Sequence, residues 1–226
     1  MNALRKKIEM ASGLPPRLAG AKAFWVSLQE VVEDWSSALF GEIGASTISG
    51  RQIVDTEDLA EQAKAPFVFL FDISNEANLL GVRVNKYTAF RYAQERLQQG
   101  AETLDAASGL FLKLLFEAAA NDLGAAVLTR IASISSPSLG LLSEPLTTLH
   151  DQPSGQKYLQ VDFVLDVAGG DATVTLFLGL EHVMHAVRRP TNPAHPAADR
   201  ALEAFEHQVR SSSLVLDVVL EHISTT

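Results

Sequence analysis

The sequence predicts an α+β domain with approximate two-fold internal symmetry, in which two strand-turn-strand-helix repeats join their strands and cover them with helices. Three observations carry this. Two pairs of apolar runs flank short turn-forming segments: "FVFLFDI" and "LLGVRV" around "NEAN", then "VDFVLDV" and "TVTLFLG" around "AGGDA". Along them apolar and polar residues alternate, so Val161, Phe163, Leu165 and Val167 face one way and Asp162 and Asp166 the other. The two units also superpose at one offset. Asp72-Ile73 recurs as Asp166-Val167, 94 residues on, and Val82, Val84 and Phe90 then fall on Leu176, Leu178 and Met184 without a gap from Asp72 to Ala93. Finally, 226 residues of which 47% are hydrophobic and 20% charged suffice for a core and exclude global disorder.

The elements follow in order. "LRKKIEMASGLPPRLAG" reads as a mobile basic arm over residues 1–20, broken at Pro15-Pro16. Phe24, Val26, Leu28, Val31, Val32, Trp35 and Leu39 recur at helical spacing, and Gly41 is the natural stop. Trp25 and Trp35, ten apart, are expected on nearly opposite sides of that helix, each more readily buried than exposed. "ASTISGRQI" reads as a strand, Asp55 as the cap of "TEDLAEQA", and "FVFLFDI" as a strand led by Pro66. After the return strand comes an amphipathic helix, "KYTAFRYAQERLQQ", stopped by Gly100. Thr103 caps a long helix, "LDAASGLFLKLLFEAAANDLGAAVL", and "TRIASISS" reads as a strand. A Ser-, Pro- and Gly-rich loop runs to Gln156, before the second hairpin and its helix. "RRPTNPAHPAAD" is a linker, "RALEAFEHQV" a short helix and "SLVLDVVLEHI" a late strand.

Several function classes are disfavoured. A net charge of −9 opposes non-specific binding to nucleic acid or to an anionic membrane surface. No cysteine means no disulfide and no thiolate metal site. The basic start lacks an apolar stretch of signal-peptide type, and no apolar run approaches the ~20 residues of a membrane span. The expected location is the cytoplasm. There is no Gly-rich phosphate loop, no His-Glu-x-x-His and no Gly-x-Ser-x-Gly, so no catalytic residue is assigned and no cofactor is expected. Gly169-Gly170-Asp171 is a hairpin turn. His182 and His185 could share a helix face, but two imidazoles without a third ligand read as surface or edge-of-core residues rather than a metal site.

The ordered series "FWVSLQEVVEDWSSALF", "TISGRQIVDTEDLAEQ", "PFVFLFDI", "LLGVRVNKYTAFRYAQERL", "LDAASGLFLKLLFEAAANDLGAAV" and "LQVDFVLDVAGGDATVTLFLGLEHVMHAVRR" resembles the middle domain of the flagellar motor switch protein FliM and its relatives. These relatives include the CheC-type phosphatases and, more distantly, cytoplasmic ring proteins of type III secretion. The resemblance runs from about Phe24 to Ile223 and implies a CheC/FliM-middle-like domain over residues 21–190. It implies that residues 191–226 are a linker, a short helix and the first strand of a SPOA-like β domain.

The function it implies is structural: a subunit of the cytoplasmic rotor ring, or of a type III secretion ring, that associates with itself and docks FliG-like and FliN-like ring proteins. It would lie at the cytoplasmic face of the flagellar basal body, peripheral to the membrane at most. Carried onto this chain, the partner-binding residues are the loop Gln98, Gln99, Gly100 and Ala101, with Glu117 and Asn121 on the polar face of the long helix. Departures are plain. FliM carries Gly-Gly-x-Gly where this chain has Gln98-Gln99-Gly100-Ala101, which weakens the expectation of FliG contact there. The basic "MNALRKKIEMA" does not match the acidic segment with which FliM binds phosphorylated CheY. The alternative is a CheC-like phosphatase of a phosphorylated response regulator. CheC carries a Glu and an Asn three apart on two symmetry-related helices, whereas Glu117 and Asn121 are four apart and occur once.

Overall fold

The computed structural model describes residues 13–41, 46–73, 79–97, 109–132, 134, 137–143, 145–150, 155–167 and 170–188. All of them lie in Met1–Pro190, the first of two units into which the chain divides. The first half of this unit supplies α1 (Pro16–Ala19), α2 (Lys22–Phe40), β1 (Ser46–Asp55), α3 (Thr56–Ala63), β2 (Val68–Ile73), β3 (Leu79–Val84) and α4 (Lys86–Leu97). The second supplies α5 (Gly109–Ala132), β4 (Leu139–Leu141), α6 (Pro145–His150), β5 (Lys157–Val167), β6 (Gly170–Gly179) and α7 (Leu180–Arg188).

The strands form one antiparallel sheet in the order β1-β5-β6-β3-β2-β4. The order is a palindrome of the two halves. The pseudo-two-fold axis runs between β3 and β6, and α2, β1, α3, β2, β3 and α4 correspond to α5, β4, α6, β5, β6 and α7. The symmetry expected from the hairpins therefore extends over both halves. The halves also trade their edge strands: β1 of the first pairs with β5 of the second, and β4 of the second with β2 of the first.

The ungapped correspondence of the hairpins needs one correction. Leu79 pairs with Asp72, but Thr173, its counterpart at the offset of 94, pairs with Val164 rather than Asp166. The second hairpin is longer by two residues, so β2 corresponds to β5 at an offset of 92. A shift of two keeps every side chain on its face, which is why alternation did not reveal it.

Local chemistry explains the element boundaries. Gly41, at φ +77°, ends α2 in a conformation that costs only glycine little. The Asp55 carboxylate accepts from the Asp58 N–H at 2.9 Å and caps α3 as expected. Asn85 does the same for α4, accepting from the Thr88 N–H at 2.7 Å. Phe67, expected inside β2, sits at φ +61° and starts it one residue late.

Four other expectations are corrected. The arm does not stay free to residue 20: Leu14 and Leu18 are buried, Pro16 opens α1 where a missing N–H costs nothing, and Trp25 Nε1 donates to the Leu18 carbonyl at 2.9 Å. "TRIASISS" is not a strand at its start, since α5 continues to Ala132, with Arg130 Nη2 donating to Glu30 Oε2 at 2.7 Å. The loop before Gln156 contains β4 and α6. Both tryptophans are buried; at 100° per residue, ten residues leave them only about 80° apart, within one apolar arc. The "NEAN" turn, the Gly100 stop, the Thr103 cap and the elements predicted beyond residue 190 lie outside the described residues.

One face of the sheet carries Phe69, Phe71, Leu80, Val82, Val161, Phe163, Leu176 and Leu178 against the long helices. Phe116 of α5 is its centre. Its ring lies 6.0 Å from Trp35, 6.0 Å from Phe69 and 5.3 Å from Tyr92, joining α2, β2 and α4. Trp35 Nε1 donates to the Ala119 carbonyl at 2.8 Å, which locks α2 onto α5. Gly124 lets α5 come close, since a Cβ there would meet Leu80 and Leu139 methyls at 2.9 Å. Alternation along the hairpins implied that only one face of each is buried. Instead α3 and α6 cover part of it, burying Leu59 and Leu149 with Val54, Val68, Leu70, Leu79, Tyr158 and Phe177.

Replacing Phe116 by Ala empties a fully buried site shared by three elements. It should lower unfolding free energy by about 3–5 kcal/mol in urea titration. Tyr158 is fully buried, its hydroxyl has no hydrogen-bond partner among the described residues, and burial pushes its pKa up to about 12. Tyr158→Phe should therefore keep the urea midpoint or raise it, by up to about 1 kcal/mol of stability.

Candidate interaction surface

Helix α5 has more apolar residues than one buried face can hold. In "GLFLKLLF" six of eight residues are apolar, yet only Leu112 and Phe116 of this stretch are buried. Leu110 and Leu114 are 67% and 61% exposed, and Phe111 lies beside them at 36%. Steps of four, three and four connect Leu110, Leu114, Glu117 and Asn121, so these side chains form one stripe along the helix.

The structure thus brings together the two expected helix residues, both half-buried, and adds two exposed leucines that the sequence reading had not singled out. The expected loop residues Gln98, Gln99, Gly100 and Ala101 lie outside the described residues. By connectivity, the segment containing them joins α4 to the end of α5 that carries Leu110 and Leu114. The missed signal was the surplus of leucines over what a helical period of 3.6 can bury.

The stripe has no evident catalytic geometry. Glu117 and Asn121 share a face but make no hydrogen bond to one another among the described residues. On α2, which corresponds to α5, the comparable polar pair is Gln29 and Glu33. It is occupied in holding the start of β1: Gln29 Nε2 donates to Glu33 Oε1 at 3.1 Å and to the Ser46 carbonyl at 2.9 Å, and Ser46 Oγ donates to Glu33 Oε1 at 2.9 Å.

His182 is half-buried and His185 exposed, and no group of three potential metal ligands occurs among the described residues. The cavity that His182 lines with Ile73, Leu80, Val127 and Leu178 measures about 20 Å³, enough for a single water. Among the described residues no helix is long and apolar enough to cross a membrane.

Asp122 lies one position beyond the stripe, towards α4. Burial pushes its carboxyl up to about 6, and the Arg96 guanidinium opposes that only in part.

No family model and no curated protein matches the chain. Solved structures do. A chain of the FliM-SpeE complex from H. pylori aligns with a TM-score of 0.57 at 7% identity, covering 77% of this chain and 94% of that one. A chain of the FliG-FliM complex from H. pylori covers 73% of this chain and 98% of that one at 9% identity, with a TM-score of 0.49. FliY from Thermotoga maritima covers 71% and 87% at 12% identity, with a TM-score of 0.48. The fold is FliM middle-domain-like.

Asp122 yields a pH prediction. Because its folded pKa lies above the unfolded value, the folded state holds the proton more tightly between about 4 and 6. Its contribution to stability is complete below about pH 4 and is lost as pH rises through 6. Asp122→Asn should raise the melting temperature at pH 7.5 and leave it unchanged near pH 4, followed by circular dichroism.

Proposed function

We propose that the chain is a structural subunit of a cytoplasmic rotor ring of the flagellar switch type, working by self-association and by docking other ring proteins. The observation that carries this reading is the exposed α5 stripe. Leu110 and Leu114 offer an apolar anchor, and Glu117 and Asn121 supply a polar border at helical spacing. A FliM middle-domain-like scaffold suits such work, and in the H. pylori FliM-SpeE complex a chain of this fold is held with another protein. The absence of a paired Glu and Asn on α2 gives a phosphatase reading no support of its own.

In this reading FliG-like and FliN-like proteins are the partners, and Gln98, Gln99, Gly100 and Ala101 are further partner-binding residues. The alternative setting for the same structural role is the cytoplasmic ring of a type III secretion system. Residues 191–226 act as the lead-in to a SPOA-like domain, and the protein works in the cytoplasm, at the basal body, without contact with nucleic acid.

The test is capture of ring proteins from the source organism on the immobilised chain, identified by mass spectrometry. Leu110→Glu and Leu114→Glu should leave the fold's stability within about 0.5 kcal/mol, because both side chains are exposed, while lowering capture on the order of tenfold or more. Gln99→Ala and Gly100→Ala should weaken capture as well. Recovery of no rotor or secretion-ring protein, or capture indifferent to all four substitutions, sinks the reading.

A further inference from the structure

Two rows of side chains cross the β3–β6 seam on the second face of the sheet, and the pseudo-dyad relates them. In one row Val68, Arg83, Thr175, Asp162 and Gly50 are successive neighbours from β2 to β1. In the other, Gln160, Phe177, Gly81 and Leu70 are successive neighbours from β5 to β2. The counterpart of Arg83 is Phe177, that of Thr175 is Gly81, and that of Asp162 is Leu70.

The rows share a shape and differ in chemistry. Arg83 reaches over the seam: Nη2 donates to Thr175 Oγ1 at 3.0 Å and to Asp162 Oδ1 at 3.5 Å. Thr175 Oγ1 donates to Asp162 Oδ1 at 2.7 Å, and Gln160 Nε2 donates to both carboxylate oxygens at 3.2 and 3.1 Å. Gln62 of α3 joins from above, accepting from Arg83 Nη1 at 2.6 Å and donating to Gln160 Oε1 at 3.0 Å. Phe177 reaches over the seam in the opposite direction and lies on Gly81. A Cβ at residue 81 would stand 2.9 Å from the Phe177 ring and 2.8 Å from a Leu70 methyl.

We propose that this polar row and its apolar twin make the seam selective for unlike repeats, so that the chain pairs its own first repeat with its own second and rejects a second copy of itself. The dyad would otherwise allow β3 to pair with β3 of another chain, or β6 with β6. In the first of these, Arg83 would lie over the other copy's Gly81 and end against its Leu70, a half-buried guanidinium without a carboxylate. In the second, Phe177 would meet the other copy's Thr175, which fills the space that Gly81 leaves open, and Asp162 would lose its cation. Attraction within the chain and mismatch between like repeats act together. Self-association is then left to surfaces other than the sheet.

Two substitutions that break the same ion pair separate this role from a merely structural one. Arg83→Phe makes the first repeat match itself, since Phe would lie over Gly81 and reach Leu70. Asp162→Leu leaves Arg83 without its carboxylate, and in a β6–β6 pairing Thr175 still blocks Phe177, so like pairing gains far less than with Arg83→Phe. The full-length proteins are refolded at about 10 μM and about 1 mM, the upper value comparable with the effective concentration set by a short connection. Mass is then read by light scattering after gel filtration. The expected result is a thermal destabilisation common to both variants. The dimeric or larger fraction, however, should rise on the order of tenfold over wild type at 1 mM for Arg83→Phe alone. If Arg83→Phe does not fold, the triple variant Arg83→Phe/Thr175→Gly/Asp162→Leu carries the test, because its rows match in every pairing and association should again increase. A matched variant that stays as monomeric as wild type at 1 mM, or equal association of Arg83→Phe and Asp162→Leu, overturns the proposal.

Discussion

Five residue pairs, from Leu80 with Leu178 to Val84 with Val174, join the two halves of the sheet. Without that seam each half would be a hairpin with an open inner edge and an apolar face too small to hold its helices. With it, the six strands become one surface broad enough for α2 and α5 to lie across, and the edge strands can pass to the opposite half. Both consequences depend on β3 being buried on both faces. Leu80 and Val82 turn to the long helices, while Leu79 and Gly81 turn to the short ones. A seam strand of this kind cannot alternate cleanly between polar and apolar residues, and "LLGVRV" does not.

The aromatic centre is secured by contacts of different kinds. Phe116 supplies area, Trp35 adds a directed hydrogen bond to the helix backbone, and Gly124 supplies the missing volume that lets α5 approach β3. The outer turns of the same helix are a different matter. Leu110 and Leu114 are exposed, and nothing in the described fold covers them. One helix therefore serves as a core element through its middle and as a presented surface at its start. That division of labour suits a protein whose proposed work is contact rather than chemistry.

How far the sequence revealed this differed from element to element. The hairpins, the Asp55 cap, the Gly41 stop and the burial of Trp35 followed from period, capping chemistry and size. β4 and α6, with three and six residues, are too short to generate a period, and they exist because β2 and α3 offer them a partner. Helix α1 was hidden because a proline pair reads as a break, although Pro16 occupies the one helical position that favours it. Glu117 and Asn121 were legible only as a polar pair on a helix. The leucines in line with them were not, because an exposed leucine and a buried one are the same letter until the packing is known. The chemical difference between the two seam rows was beyond reach for a further reason: strand order and register had to be known before Arg83 and Asp162 could be seen as neighbours.

The trading of edge strands has a consequence in time. Gln52 of β1 and Gln160 of β5, which bond side chain to side chain, are 108 residues apart. A ribosome adding about 5–20 residues per second completes β5 roughly 5–20 s after β1, long after a hairpin could form and close. During that interval β1 has helices but no strand beside it, and β2 waits likewise for β4. Neither half can finish alone, so the sheet is completed late, and an unpaired strand is part of the domain's synthesis rather than an accident of it.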